Sequence, residues 1–152
     1  MKIAIGNDHR GVAFKHRLIQ LLGQLGHTTV DYGAHDETSC DYPIFAFRVG
    51  EAVSSKECDF GLLICGTGLG MCIAANKVPG VRAIPGHDPV TTELGRRHND
   101  ANVLCISSEL TGEELMERMV QVFLTTEFEG GRHARRVKQI CDYEAARLRP
   151  TD

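Results

Sequence analysis

The sequence predicts an α/β domain: an open parallel sheet of about five strands with helices on both faces, a Rossmann-like three-layer α/β/α arrangement. Three observations carry this. Short apolar runs alternate strictly with segments of helical periodicity, the pattern of a parallel sheet with crossover helices. The run Phe60–Cys65 is apolar enough to be covered on both faces, as a central parallel strand is. The glycines Gly66, Gly68 and Gly70 then lead into the helix start Ile73-Ala74-Ala75-Asn76-Lys77. A buried strand that ends on a side chain beside free backbone N–H groups is how such folds build anion sites.

Taken in order, Lys2 to Ile5 reads as the first strand, ending at Gly6-Asn7-Asp8-His9-Arg10-Gly11. Val12, Phe14, Leu18, Leu21, Leu22 and Leu25 recur at helical spacing, and Gly26 stands where a C-terminal glycine stops a helix. Thr28–Asp31 is a short β-branched strand. A polar loop from Gly33 to Asp41 follows, and Pro43 suits the first turn of a helix running through Phe45, Val49 and Val53. After the central strand the glycine loop opens a helix to about Lys77. Val81–Ile84 is the next strand, followed by Pro85-Gly86-His87-Asp88 and a helix through Val90, Leu94 and Arg97. Asn102 to Ile106 is the last strand, and Leu115, Met119, Val122 and Phe123 share one face of the next helix. A charged helix over about 130–149 carries the apolar positions Val137, Ile140, Cys141 and Tyr143, which suit its own domain or a subunit interface. The whole reads as one domain, 1–152, with no repeat or linker.

In such sheets ligands sit beyond the carboxyl ends of the strands. Asp8-His9, Cys65 with its glycines, His87-Asp88 and the His98-Asn99 turn are therefore expected to converge on one edge.

Composition narrows the function. Hydrophobic residues are 42% and charged residues 24%, the balance of a soluble globular protein. A net charge of −3 gives no support to nucleic acid or an acidic membrane as partner. No apolar run reaches the length of a membrane span, and Met1-Lys2-Ile3-Ala4-Ile5 enters a strand directly, so the expected location is cytoplasmic. Cys40, Cys58, Cys65, Cys72, Cys105 and Cys141 are scattered without a C-x-x-C pair, so reduced thiols are expected and no metal site.

The glycine loop fits none of three familiar cradles. A dinucleotide fingerprint needs glycine at 71, where the chain has Met71; a cysteine-phosphatase cradle needs arginine there; a Walker loop needs Gly-Lys-Ser/Thr. What remains is a thiol at a strand end, beside a helix N-terminus and amides that favour negative charge, which suits a base or nucleophile with an oxyanion partner.

The segments Gly6-Asn7-Asp8-His9-Arg10-Gly11, Asp41-Tyr42-Pro43, Ile64-Cys65-Gly66-Thr67-Gly68-Leu69-Gly70, Ala74-Ala75-Asn76-Lys77, Arg97-His98-Asn99-Asp100-Ala101-Asn102 and Glu129-Gly130-Gly131-Arg132-His133-Ala134-Arg135-Arg136-Val137 occur in this order over nearly the whole chain. Together they resemble the ribose-5-phosphate isomerase B family, which also includes the galactose-6-phosphate isomerase subunits. The resemblance implies reversible, cofactor-free aldose–ketose isomerisation of a phosphosugar through a cis-enediolate, with ribose 5-phosphate to ribulose 5-phosphate as the expected reaction. It implies Cys65 as the base, Thr67 as its assistant in moving protons between the oxygens, and His98 as the group that opens the sugar ring. The N–H groups around Gly66, Gly68 and Gly70 would hold the enediolate, Asp8 and Asn99 the sugar oxygens, and His9, Arg132 and Arg136 the phosphate, with Tyr42 lining the pocket. The resemblance further implies a homodimer with the site at the subunit interface; whether dimers pair into tetramers stays open.

Some members use a glutamate in the loop instead of the thiol; Met71 and Cys65 put this chain with the thiol type. Glu109, in Ser107-Ser108-Glu109-Leu110, stands where the family pattern has a phosphate-contacting arginine, and an inward carboxylate there would repel phosphate. Two alternatives accompany the ribose reading: the same chemistry on a six-carbon substrate, allose 6-phosphate or galactose 6-phosphate, and a phosphosugar-binding module without catalysis. On pattern alone Asp8-His9 also suits a helix cap, His98-Asn99-Asp100 a polar turn, and the C-terminal arginines a solvated face. His16, His27, His35, His87 and His133 are read as structural or exposed, the remaining cysteines as packing or surface thiols, and Arg135, Arg147 and Arg149 as surface.

Overall fold

The computed structural model describes residues 1–148; Arg149, the last residue of the expected C-terminal helix, lies outside the described residues. The strands are β1 (Lys2–Asn7), β2 (Thr28–Asp31), β3 (Phe60–Cys65), β4 (Ala83–Gly86) and β5 (Val103–Ser107). The helices are α1 (Val12–Gln24), α2 (Pro43–Ser54), α3 (Leu69–Ala75), α4 (Pro89–Asn99), α5 (Glu113–Thr125) and α6 (Arg132–Leu148). All neighbouring strands run parallel, in the order β2-β1-β3-β5-β4. The three-layer expectation holds, because each strand returns to the sheet through a helix.

The sheet's two faces carry separate cores. Ala4, Leu63, Val103 and Cys105 point towards Phe45, Val49 and Val53 of α2 and Met71 and Ala75 of α3. Ile3, Ile5, Leu62, Ile64, Leu104 and Ile106 point the other way, towards Leu18 and Leu22 of α1 and Met116, Met119 and Phe123 of α5. Alternation along β3 (Leu62 and Ile64 to one side, Leu63 and Cys65 to the other) is what places Cys65 on the α2/α3 side. Helix α4 packs on α5 and β4, and α6 lies outside α4, burying only His133 of its own residues. No helix among the described residues is long and apolar enough to cross a membrane.

Local chemistry moves several boundaries. Helix α3 ends at Ala75 rather than near Lys77, because the Asn76 amide turns to the edge strand: its Nδ2 donates to the Ala83 carbonyl and its Oδ1 accepts from the Ala83 N–H, both at 2.9 Å. β4 therefore begins at Ala83, not Val81, and runs on through Pro85, whose missing N–H is tolerated on an edge strand. His98 and Asn99 are helical, and the turn follows them at Asp100, which adopts φ +47°.

Candidate active site

Two loops at the carboxyl edge of the sheet form the floor of the site. After β3 the chain turns at Gly68, whose φ of +76° glycine accepts without strain. A Cβ there would also meet the Cys105 and Ile106 backbone at 3.1–3.3 Å. The turn brings the Gly68 N–H to 3.2 Å from the Cys65 sulfur, so negative charge forming on that sulfur has a donor in place. The β5 loop holds the other side: Ser108 N–H donates to the Cys65 carbonyl at 2.9 Å, and the Ser107 hydroxyl to the Gly66 carbonyl at 2.6 Å. The Thr67 and Gly70 amides donate to no protein acceptor among the described residues. Thr67 Oγ1 accepts from the Leu69 N–H at 3.3 Å, which leaves its own proton free to donate.

A cavity of about 340 Å³ opens over this floor, lined by Asp8, Arg10, Tyr42, Cys65, Gly66, Thr67, Gly70 and Glu109. Asp8 follows β1, is 5% exposed, and accepts the Arg10 N–H at 2.9 Å. The Tyr42 ring lies over Gly70 so closely that a Cβ there would come within 2.6 Å of Cζ. Beside this cavity is a second hollow lined by His9, Arg10, Glu37, Ser108 and Glu109. The Cys40 N–H donates to His9 Nδ1 at 3.3 Å, which fixes the neutral tautomer with its proton on Nε2.

His98, Asn99 and Arg132 do not join this group. They lie at the opposite edge, because α4 feeds into the amino end of β5 while Cys65 sits beside its carboxyl end, opposite Ser107. The length of β5 separates them by roughly 16 Å at 3.3 Å per residue. The expected convergence on one edge is corrected accordingly. His87-Asp88 does follow a carboxyl end, but Asp88 caps α4, accepting the Thr91 N–H at 2.8 Å, and lines neither cavity.

The second cluster has its own order. Asp100 binds Arg82 at 2.9 Å and Arg96 at 3.1 Å, and Asn102 receives the Arg82 N–H at 2.7 Å, so the turn after His98 is clamped. His98 stacks on His133, with ring centroids 4.1 Å apart and planes within 3°. Arg132 Nε donates to His133 Nε2 at 3.3 Å, and Arg136 follows one turn along α6. Burial, the nearby His98 and the Arg132 charge push the His133 pKa down, whereas the Arg97 guanidinium pulls Glu129 below the usual carboxylate range. The His98, Glu129 and His133 donor atoms lie within 4.8 Å of one another. The parallel rings keep the imidazole lone pairs from converging on one point, and Arg132 occupies His133 Nε2, so the arrangement is a stacked pair rather than a formed ligand set.

Residues 3–140 match the family described as Ribose/Galactose Isomerase. The chain belongs to that family. It is 43% identical over 146 residues to ribose-5-phosphate isomerase B of Escherichia coli, covering 96% of this chain and 98% of that protein. It is 38% identical over 146 residues to a D-erythrulose-4-phosphate isomerase of Pectobacterium atrosepticum, covering 95% of each. Among solved structures, ribose-5-phosphate isomerase B of Clostridium thermocellum superposes with a TM-score of 0.95 at 46% identity, over 97% of this chain and 99% of that one. For a member of this family, three wall residues went unread in the sequence: Arg10, Glu37 and Ser108. Arg10 lies within Gly6-Asn7-Asp8-His9-Arg10-Gly11, but nothing in its spacing marks it as facing the cavity. His133 was read as structural and is buried against His98.

Proposed function

We propose that the protein interconverts an aldose phosphate and a ketose phosphate, with ribose 5-phosphate and ribulose 5-phosphate as the pair. The observation that carries this reading is the sulfur of Cys65 at the floor of a cavity, beside a fixed amide donor and the Thr67 hydroxyl. Cys65 removes the proton from the carbon next to the carbonyl, and the electron pair moves to the oxygen. The loop N–H groups around Gly66, Gly68 and Gly70 hold the resulting enediolate, as donors placed in advance do for developing charge. Thr67 passes the hydroxyl proton between the two oxygens, and the proton on sulfur returns to the neighbouring carbon. Asp8 binds a sugar hydroxyl, His9 donates from Nε2 to the phosphate, and Tyr42 closes the wall.

The remaining groups come from a second copy. His98 opens the furanose, Asn99 positions it, and Arg132 and Arg136 grip the phosphate in paired hydrogen bonds. Exposed Ile44 and Phe47 on α2, Leu69 and Ile73 on α3, and Tyr42 at the start of α2 support a dimer, since they leave apolar surface open to solvent and Tyr42 among them lines the Cys65 cavity. So do exposed Ile140 and Tyr143 on α6.

Purified chain and its Cys65→Ala variant, assayed with ribose 5-phosphate, test the reading. Turnover that vanishes in the variant while phosphosugar binding persists is the expected result. Turnover surviving in Cys65→Ala would refute the assigned base. A parent that turns over only a four- or six-carbon phosphosugar would move the substrate but keep the chemistry; the Pectobacterium relative's erythrulose phosphate and Glu109 in the wall favour including those substrates.

A further inference from the structure

Arg10 and Glu109 form an ion pair across the boundary between the two hollows, and both residues line both of them. Their side chains are 57% and 45% exposed, and a pair so open to solvent contributes little to stability. Stability therefore does not account for it. The backbone holds both ends: the Arg10 N–H is bound by Asp8, and the Glu109 N–H by the Gly66 carbonyl at 3.2 Å. The arginine stem crosses Gly66, where a Cβ would come within 3.1 Å of Arg10 Cδ and 3.2 Å of Glu109 Oε1. The pair is thus a strap laid over the loop that carries Cys65.

We propose that Arg10, oriented by Glu109, binds the substrate phosphate from the same subunit as Cys65; the inference rests on the phosphosugar reading above. Arg10 is the sole Lys or Arg among the described residues lining either hollow, and Asp8, Glu37 and Glu109 are carboxylates. Among the charged groups of these walls, Asp8, Glu37 and Glu109 repel an anion entering between His9 and Cys65, and Arg10 attracts it. Glu109 takes one N–H at Nη1, and the other guanidinium donors make no hydrogen bond among the described residues, leaving them for phosphate oxygens. Glu109 acts as a positioning residue: it fixes the guanidinium over the trough, and its charge is neutralised by the group it holds. This accounts for an inward carboxylate in a site built for an anion.

Inorganic phosphate is titrated into the full chain, into Arg10→Ala, into Arg10→Glu, and into the exchanged Arg10→Glu/Glu109→Arg variant. KM and kcat are measured in parallel with ribose 5-phosphate, and circular dichroism verifies folding. Arg10→Ala is expected to weaken phosphate binding about tenfold or more and to raise KM by a similar factor, with a smaller change in kcat. The exchanged variant is expected to recover most of the affinity lost in Arg10→Glu, because the cation stays within the strap. Parental phosphate affinity in Arg10→Ala, or no recovery on exchange, would overturn the proposal. Phosphate binding is read without turnover, so an inactive parent would count against the isomerase reading and not against the strap.

Discussion

Gly68 carries two separate demands, and substitution distinguishes them. Its positive φ costs any other residue strain, and a Cβ there would sit only 3.1–3.3 Å from the backbone of β5. Gly26 has the same φ of +76° with nothing within 4 Å. Gly26→Ala is therefore expected to cost about 1 kcal/mol by urea denaturation, whereas Gly68→Ala costs about 1–3 kcal/mol. Gly68→Ala also lowers kcat, since the N–H facing the Cys65 sulfur shifts with the backbone. Equal stability losses in the two variants would mean that the close approach to β5 plays no part.

At the scale of elements, the seam between α4 and α6 is held by the stacked His98 and His133, with Arg97, Glu129 and Arg132 around them. The His133 pKa is lowered in the fold, first by burial and then by the His98 and Arg132 charges. The unfolded chain therefore binds a proton more readily than the folded one. Its contribution is complete above the ordinary histidine value of about 6.5 and is lost as pH falls through and below it. Thermal unfolding at pH 7.5 and 5.5 should show a larger drop in Tm for the parent than for His133→Gln; equal drops would place the acid sensitivity elsewhere.

Element type and order were readable because hydrophobic periodicity records burial directly: Phe60–Cys65 and Thr28–Asp31 have the bounds expected of them. The β4 start was not, because it depends on one side chain, Asn76, pairing with Ala83 across a loop. The Cys65 half of the site was legible from its loop. Sequence order also suggested that His98 lies on the same edge, yet a helix that leads into a strand ends at that strand's amino end. Arg10 was invisible for a further reason: which way an exposed arginine points is decided by its partner, Glu109, ninety-nine positions away.

For the whole molecule, the topology separates the two sets of candidate site residues by the length of a strand, and the apolar surfaces of α2, α3 and α6 remain exposed on a lone chain. Both features have one explanation under the proposed function: two copies pair so that the Cys65 half of one faces the His98 half of the other. In a symmetric dimer this makes two equivalent sites, each built from both chains. The distinction matters for any variant, because a lesion at Cys65 and a lesion at His98 in the same dimer then fall either in one site or in both, depending on which chain carries them.

The most direct measurement is complementation. Cys65→Ala and His98→Asn are each expected to be inactive alone. Co-expressed in equal amounts, they form mixed dimers in which one site carries both lesions and the other carries neither. Random pairing then restores about a quarter of parental ribose 5-phosphate turnover. Activity no greater than the sum of the two separate variants would contradict a site shared between subunits.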